Sequence, residues 1–193
     1  MPGAFRWCPC NIDSPMASAA LQFYTSRMSE LDPGDMRTFS TGRMVSVASV
    51  EQSKNLTASN TPAIVIAASG MATGGRVLHH LETALPDARN TVLFVGYQAA
   101  GTRGRSLCDG VKQVRLHGRM VPVAARIERI DSMSAHADAG EIMRWLSGFS
   151  RPPSMTYLVH GEPAGLDGLA ARIQAAKGWP VHIAKHLEKV ELI

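Results

Sequence analysis

Cysteine and long apolar runs are what this sequence has least of. Its three cysteines, Cys8, Cys10 and Cys108, form no Cys-x-x-Cys pair, so they exclude the usual zinc-knuckle spacing and indicate reduced thiols. No apolar run approaches the roughly 20 residues needed to span a bilayer. The first residues also lack the apolar core of a secretion signal. We therefore expect a cytoplasmic protein.

The sequence also lacks the motifs of hydrolytic metal centres. It contains neither a His-x-His-x-Asp-His cluster nor a His-Glu-x-x-His helix. Catalytic zinc usually takes three or more protein ligands plus water, and a two-metal site takes more. The chain therefore does not encode a complete hydrolytic metal centre of either kind.

The composition is that of a globular protein with an excess of basic over acidic residues. Of 193 residues, 45% are hydrophobic and 19% are charged, and the formal net charge is +4. A basic chain suits an anionic partner such as nucleic acid. The basic residues cluster in one stretch, as Arg103, Arg105, Lys112, Arg115, Arg119, Arg126 and Arg129. This stretch is either a solvated face or a surface that binds a polyanion.

Strand and helix patterns alternate along the chain, with residues 31–42 as a loop. Helices are predicted from residue 15 onward and over 49–56, about 74–85, 104–110, 138–146 and 163–177, the last ending at Gly178. Strands are predicted over 44–47, 63–68, 91–96, 111–116, 121–130, 155–159, 181–184 and 190–193. This order predicts an α/β fold with a largely parallel sheet. A change of apolar patterning near residue 118 indicates a domain boundary.

Several of these elements carry finer predictions. The continuous apolar runs over 63–68 and 91–96 predict strands buried on both faces. The alternation over 121–130 predicts one half-exposed strand. The segment Asp13-Ser14-Pro15 offers a helix cap followed by proline in the first turn, and Ser49 with Gln52 fits a capping box. Asp138 and Glu162 are expected to cap the helices that follow them.

A glycine-rich turn separates the strand predicted over 63–68 from the helix that follows it. It comprises Ser69, Gly70, Gly74, Gly75 and Arg76 among its eight residues. Such a turn presents N–H groups at a helix N-terminus and can hold a phosphate, with Arg76 adding charge. The alternative is a tight turn without a ligand. On the next helix His79 and His80 point about 100° apart, so surface or packing roles are expected there, and His117 is given no role.

Two histidines differ from the others because each lies where a predicted strand gives way to a loop. His136 is in Ser134-Ala135-His136-Ala137-Asp138, and His160 is in Leu158-Val159-His160-Gly161-Glu162. Ligands and metals gather at strand ends in α/β folds. An imidazole there can bind zinc or donate a proton.

Six ordered segments together make the chain similar to a known family. They are residues 13–17, 67–76, 94–98, 101–105, 134–138 and 158–162. From about Asn11 to its end, the chain resembles the C-terminal half of β-CASP ribonucleases of the metallo-β-lactamase superfamily. The resemblance implies that residues 11–117 form part of a β-CASP cap over a parallel sheet. It also implies that residues 118–193 return into the αββα metallo-β-lactamase body, the RNA-specificity domain, while residues 1–10 match nothing.

The resemblance also implies roles for particular residues. His136 looks like the catalytic histidine that contacts the scissile phosphate and helps to protonate the leaving oxygen. His160 looks like a zinc ligand, and Ser134 looks like a phosphate contact beside His136. RNA runs in the cleft between cap and body in such proteins, which makes single-stranded RNA the expected partner.

The chain departs from the family in lacking its main zinc-binding motif and acidic partner. We therefore expect a C-terminal fragment of a zinc-dependent RNA-processing nuclease that is inactive alone and holds no zinc tightly. The alternatives are a non-catalytic RNA-binding or partner-regulating module and a pseudogene product. We also expect weak RNA binding, with self-association or a partner that covers the missing half.

Overall fold

The computed structural model describes residues 8–31, 44–133 and 136–191. The strands are β1 Cys10–Ile12, β2 Met44–Ser46, β3 Ile64–Ile66, β4 Thr91–Val95, β5 Gln113–Leu116, β6 Arg119–Pro122, β7 Arg126–Ile130, β8 Thr156–Leu158 and β9 Val181–Ile183. The helices are α1 Pro15–Ser26, α2 Val50–Ala58, α3 Val77–Ala84, α4 Arg103–Cys108, α5 Ala139–Leu146 and α6 Pro163–Lys177. In the described ranges, no helix is long and apolar enough to cross a membrane.

The chain divides into two compact units, residues 1–133 and 134–193. In the first unit, β1 lies between β2 and β3 in a parallel sheet, and β4 pairs in parallel with β7. Strands β5 and β6 form an antiparallel hairpin. In the second unit, β8 and β9 pair in parallel. The predicted α/β class with mainly parallel strands is confirmed. The predicted domain boundary near residue 118 lies inside the first unit and stays a prediction.

Each unit has its own apolar core. In the first unit, α3 contributes Leu78 and Leu81, which pack with the fully buried side chains of Leu85, Leu107 and Leu116. In the second unit, the core consists of Leu146, Leu158, Ile173 and Trp179. These cores hold the strand ends and turns of each unit in place.

Several local predictions are confirmed. Ser49 and Asp138 are the N-caps of α2 and α5, each in a complete capping box. Helix α6 spans the predicted 163–177 and ends at Gly178, whose φ of +66° suits glycine. Glu162 occupies the N-cap position of α6, but its side chain makes no capping hydrogen bond.

The predicted burial of two strands is wrong. All three side chains of β3 are more than a third exposed, because β3 is an edge strand of a small sheet. In β4 only Phe94 is buried, and its neighbours Leu93 and Val95 are about half exposed. Each strand has one partner strand among the described residues, so its apolar residues are less covered than in a doubly packed sheet.

The structure corrects two predicted strands. Residues 121–130 span parts of two strands, β6 and β7, since β6 pairs with β5 while β7 pairs with the distant β4. Within the predicted cap segment, Ser14 caps helix α1 because its hydroxyl accepts the N–H of Ala17, and Asp13 is buried. Residues 190 and 191 form no strand. The predicted loop at 31–42 lies almost wholly outside the described residues.

Candidate functional site

A buried carboxylate ties four segments of the first unit together. Asp13 follows β1 and is fully buried. Its Oδ1 accepts a 2.7 Å hydrogen bond from Arg76 Nη1. Its Oδ2 accepts from Ser53 Oγ at 2.5 Å and lies 2.6 Å from His80 Nε2. The carboxylate therefore fixes α2, α3 and the glycine-rich turn against the end of β1.

The ring of His80 lies between α2 and the end of β1. Its Nδ1 is 3.1 Å from Thr57 Oγ1, whose hydroxyl also lies within hydrogen-bond distance of the carbonyl oxygen of Ser53. The other ring nitrogen, Nε2, faces the Asp13 carboxylate, which only accepts, so Nε2 donates there.

The charge of Asp13 follows from competing effects. Burial raises the pKa of its carboxyl, but hydrogen bonds from Ser53, Arg76 and His80 lower it more, and the net pKa lies below its ordinary value. The carboxylate thus stays ionised inside the fold. Neither Asp13 nor His80 was given this role from sequence. They lie 67 positions apart in the sequence, so no local pattern links them.

The glycine-rich turn, residues 69–76, is built around Ser69. Its backbone has a left-handed φ of +69°, and its Oγ accepts the N–H groups of Thr73 and Gly74, each at 3.2 Å. Two of the N–H groups that could face a phosphate are therefore satisfied within the turn. Arg76 is committed to Asp13 and to the carbonyl oxygen of Val47. The structure therefore shows a tight turn that is held by its own hydrogen bonds. Phosphate binding stays a prediction for Ser69, Gly70, Gly74, Gly75 and Arg76.

The turn is held from the other side by α4. Gly104 N–H donates to the carbonyl oxygen of Met71, and Arg103 Nη1 donates to those of Ala72 and Thr73. Gly104 packs against the buried Gln98, and an added Cβ would overlap Gln98 Oε1. The glycine lets the two backbones approach.

The basic stretch separates into paired and exposed members. Three arginines pair with nearby acids, as Arg105 with Asp109, Arg126 with Glu128 and Arg129 with Asp131. Lys112, Arg115 and Arg119 have exposed side chains and enter none of the ion pairs found in the described ranges. We call residues 112–119 the basic hairpin. Its cations are accessible to an anionic partner and are not engaged by a neighbouring acid in the ion pairs of the described ranges.

The two histidines singled out from sequence lie in loops of the second unit. His136 is exposed and precedes α5, whose cap Asp138 is two residues away. His160 follows β8, is exposed and has a left-handed φ of +61°. Ser134 lies outside the described residues. The proximity of His136 and His160 to each other stays a prediction.

Three side chains that no sequence motif links come together in the first unit. His79 and Glu82 of α3 meet His117, which follows β5, with candidate ligand atoms all within 4.8 Å of one another. Helical spacing of three residues puts His79 and Glu82 on one face. The third member comes from a distant turn, so only the fold brings it near.

Two family models match the chain in succession. The Beta-Casp domain matches residues 3–107, and the Zn-dependent metallo-hydrolase RNA specificity domain matches residues 120–184. Ribonuclease TTHA0252 of Thermus thermophilus is 35% identical over 94% of this chain and 43% of its own length. The chain belongs to the β-CASP family. The resemblance predicted from the six sequence segments is thereby confirmed.

Other relatives of the chain are transcription termination factors. The transcription termination factor FttA of Pyrococcus abyssi is 34% identical over 76% of this chain and 23% of its own length. FttA of Thermococcus kodakarensis is 31% identical over the same share of this chain and 24% of its own. The chain therefore spans less than half the length of these curated relatives. The family is one of RNA-processing nucleases.

The complete family enzyme uses zinc, which His160 was predicted to ligate. In the part of the chain that the structure describes, the one group of three candidate ligands is that of His79, Glu82 and His117, in the other unit. The described residues around His160 therefore do not fit a zinc centre by themselves. His160 would supply one ligand, and the others would have to come from elsewhere.

Proposed function

We propose that this β-CASP chain contacts single-stranded RNA through phosphate groups, as the C-terminal part of an RNA-processing nuclease. The observation that carries the proposal is the exposed, unpaired basic hairpin within a chain that matches an RNA-specificity family model. Phosphate contacts from arginine and lysine dominate affinity for nucleic acid. The glycine-rich turn, residues 69–76, is the proposed second contact. Its glycines Gly70 and Gly74 leave open space beside the backbone.

The proposed roles of the loop histidines follow the family resemblance. His136 contacts the scissile phosphate and gives a proton to the leaving oxygen, Ser134 contacts the same phosphate, and His160 contributes one ligand to zinc. A positioned imidazole accelerates such a step because it can donate a proton near neutral pH. The exposure of both histidines supports access by RNA.

The absence of the family's main zinc motif indicates that the chain is inactive alone. Without a His-x-His-x-Asp-His cluster or the family's acidic partner, its residues cannot activate water on two metal ions. We propose that hydrolysis needs the missing groups from further polypeptide, and that the protein works in the cytoplasm. The alternative is a non-catalytic module that binds RNA or regulates a partner, which the missing motif also favours.

RNA binding by the basic hairpin is tested by fluorescence anisotropy with a labelled single-stranded RNA at several salt concentrations. For single strands, the slope of log affinity against log salt is about −0.7 per neutralised phosphate. The double variant Arg115→Ala, Arg119→Ala should bind more weakly with a shallower slope. Lys54→Ala, Arg89→Ala removes equal charge from exposed positions of the same unit and should change the affinity little. Equal loss in both double variants, or no salt dependence, overturns the proposal.

A cleavage assay separates the broken nuclease from the module. The purified chain with added zinc should leave the RNA intact. Adding separately produced polypeptide with the family's zinc motif should restore cleavage that depends on His136 if the chain is part of a nuclease. Unchanged RNA in that mixture, with binding retained, favours the non-catalytic module. Cleavage by the chain alone contradicts both.

A further inference from the structure

Three side chains that can ligate a metal meet on the surface of the first unit, and none of them is a histidine assigned to the family site. His79 and Glu82 come from α3, and His117 comes from the turn between β5 and β6. The His79 and His117 rings stack, with centroids 4.5 Å apart and planes within 17°. Two imidazoles and a carboxylate thus meet across a helix and a hairpin.

The backbone holds each member of this group in place. His79 and Glu82 lie three residues apart on a helix whose Leu78 and Leu81 are buried in the core. His117 has a left-handed φ of +46° and follows the fully buried Leu116. The anchors therefore fix the backbone positions of the three ligands before any ion binds, and only their side chains have to be ordered by the ion.

The chemistry of the group favours zinc. Two neutral imidazoles with one carboxylate form a common zinc ligand set, with metal–ligand distances of about 2.0–2.2 Å. A tetrahedral ion at these distances needs ligand atoms about 3.4 Å apart. The three ligand atoms lie within 4.8 Å of one another, so the side chains must close in on the ion. Because His79 and His117 are exposed, their rings can rotate out of the stacked arrangement and each turn a nitrogen toward the ion.

We propose that His79, Glu82 and His117 bind a zinc ion that links α3 to the β5–β6 hairpin. His79 and Glu82 also line a surface cavity of about 370 Å³, whose lining includes the cations Lys54 and Arg76 but not His117. Arg115 and Arg119 lie within two residues of His117 and oppose a cation. The site therefore binds zinc reversibly, more weakly than a closed four-ligand site.

The zinc site is tested by titrating the full, tag-free chain with Zn²⁺ in competition with a chromophoric chelator. His79→Ala and His117→Ala should each weaken the affinity at least about tenfold, since even loss of an outer-shell partner has that effect. Glu82→Gln keeps the shape but removes the charge and should also weaken binding. His186→Ala removes an exposed histidine from the other unit and serves as the matched control.

Two further readouts keep the test independent of folding defects. Zn²⁺ should raise the Tm of the wild-type chain by a few degrees and that of His117→Ala by less, because the folded variant binds the ion more weakly. Co²⁺ should give a d–d absorption band without sulfur charge transfer. Unchanged zinc affinity in His79→Ala and His117→Ala, no binding in the wild type, or a thiolate-type cobalt spectrum each overturns the proposal. RNA binding by the basic hairpin is measured separately and does not depend on this outcome.

Discussion

Asp13 holds the glycine-rich turn against the end of β1 through Arg76. Asp13→Asn leaves the side-chain shape but removes the charge that Arg76 and His80 face in a buried place. Breaking a buried ion pair costs about 3–5 kcal/mol, and the partial exposure of Arg76 puts the expected loss near the lower end. Urea unfolding measures it. A loss below about 1 kcal/mol would contradict the role assigned to Asp13.

The same carboxyl predicts a pH dependence. Its pKa in the folded chain lies below the ordinary value of about 3.9, so its stabilising effect is complete above that value. The effect is lost as pH falls through 3.9 toward the lower folded pKa. The difference in unfolding free energy between wild type and Asp13→Asn should therefore shrink as pH falls below about 5. A difference that stays constant down to acid unfolding would exclude this linkage.

Gly104 predicts a steric cost at one backbone contact. Gly104→Ala places a Cβ against Gln98 Oε1 and 3.1 Å from the backbone of Met71, so we expect a loss of about 1–3 kcal/mol. Gly168→Ala is the control. It lies in α6 with open space around it and should stabilise the helix by about 0.5–1 kcal/mol. Equal effects of the two changes would argue against a tight contact at Gly104.

Helix α5 and helix α6 differ in how their first turns are capped. Asp138 accepts the N–H of Glu141 at 2.8 Å, so Asp138→Ala should cost about 1 kcal/mol in thermal unfolding of the second unit. Glu162→Ala removes a side chain at the N-cap position of α6 that makes no capping hydrogen bond, and should cost less. A larger loss from Glu162→Ala would reverse the assignment.

Elements defined by local signals were predictable, and elements defined by distant pairing were not. Helix α6 and its end at Gly178 follow from apolar spacing and glycine, both within the segment. The split of residues 121–130 into β6 and β7 depends on β7 pairing with β4, which local alternation does not reveal. A continuous apolar run such as β3 shows that a strand forms, but not whether another layer covers it.

The candidate functional side chains also divide into those that a local motif identifies and those that only a distant contact identifies. His136 and His160 could be singled out because each sits in a motif next to a strand end. The contacts of Asp13 with His80, and of His79 with His117, join residues far apart in sequence. Only packing of α3 against β1 and the β5–β6 hairpin brings those partners together. A single sequence therefore identifies candidate residues better than it identifies their partners.

At the scale of the whole molecule, exposed apolar residues predict association. Val45 and Val65 both pair with Asn11 across the small parallel sheet, so they share one of its faces, and both are at least a third exposed. Exposed patches of this kind promote contacts between chains. Sedimentation should show species above the monomer, and Val45→Lys should reduce them. Leu187→Lys, at an exposed position of the other unit, should not. A monomer at high concentration contradicts this prediction.

RNA contact by the first unit is the central claim, and crosslinking tests it most directly. Ultraviolet crosslinking of the full chain to single-stranded RNA, followed by mass spectrometry of the peptides, reports which residues touch the nucleic acid. The account predicts crosslinked peptides from the basic hairpin, residues 112–119, and from the glycine-rich turn, residues 69–76. Crosslinks confined to other segments, at salt concentrations where binding is measurable, would contradict it.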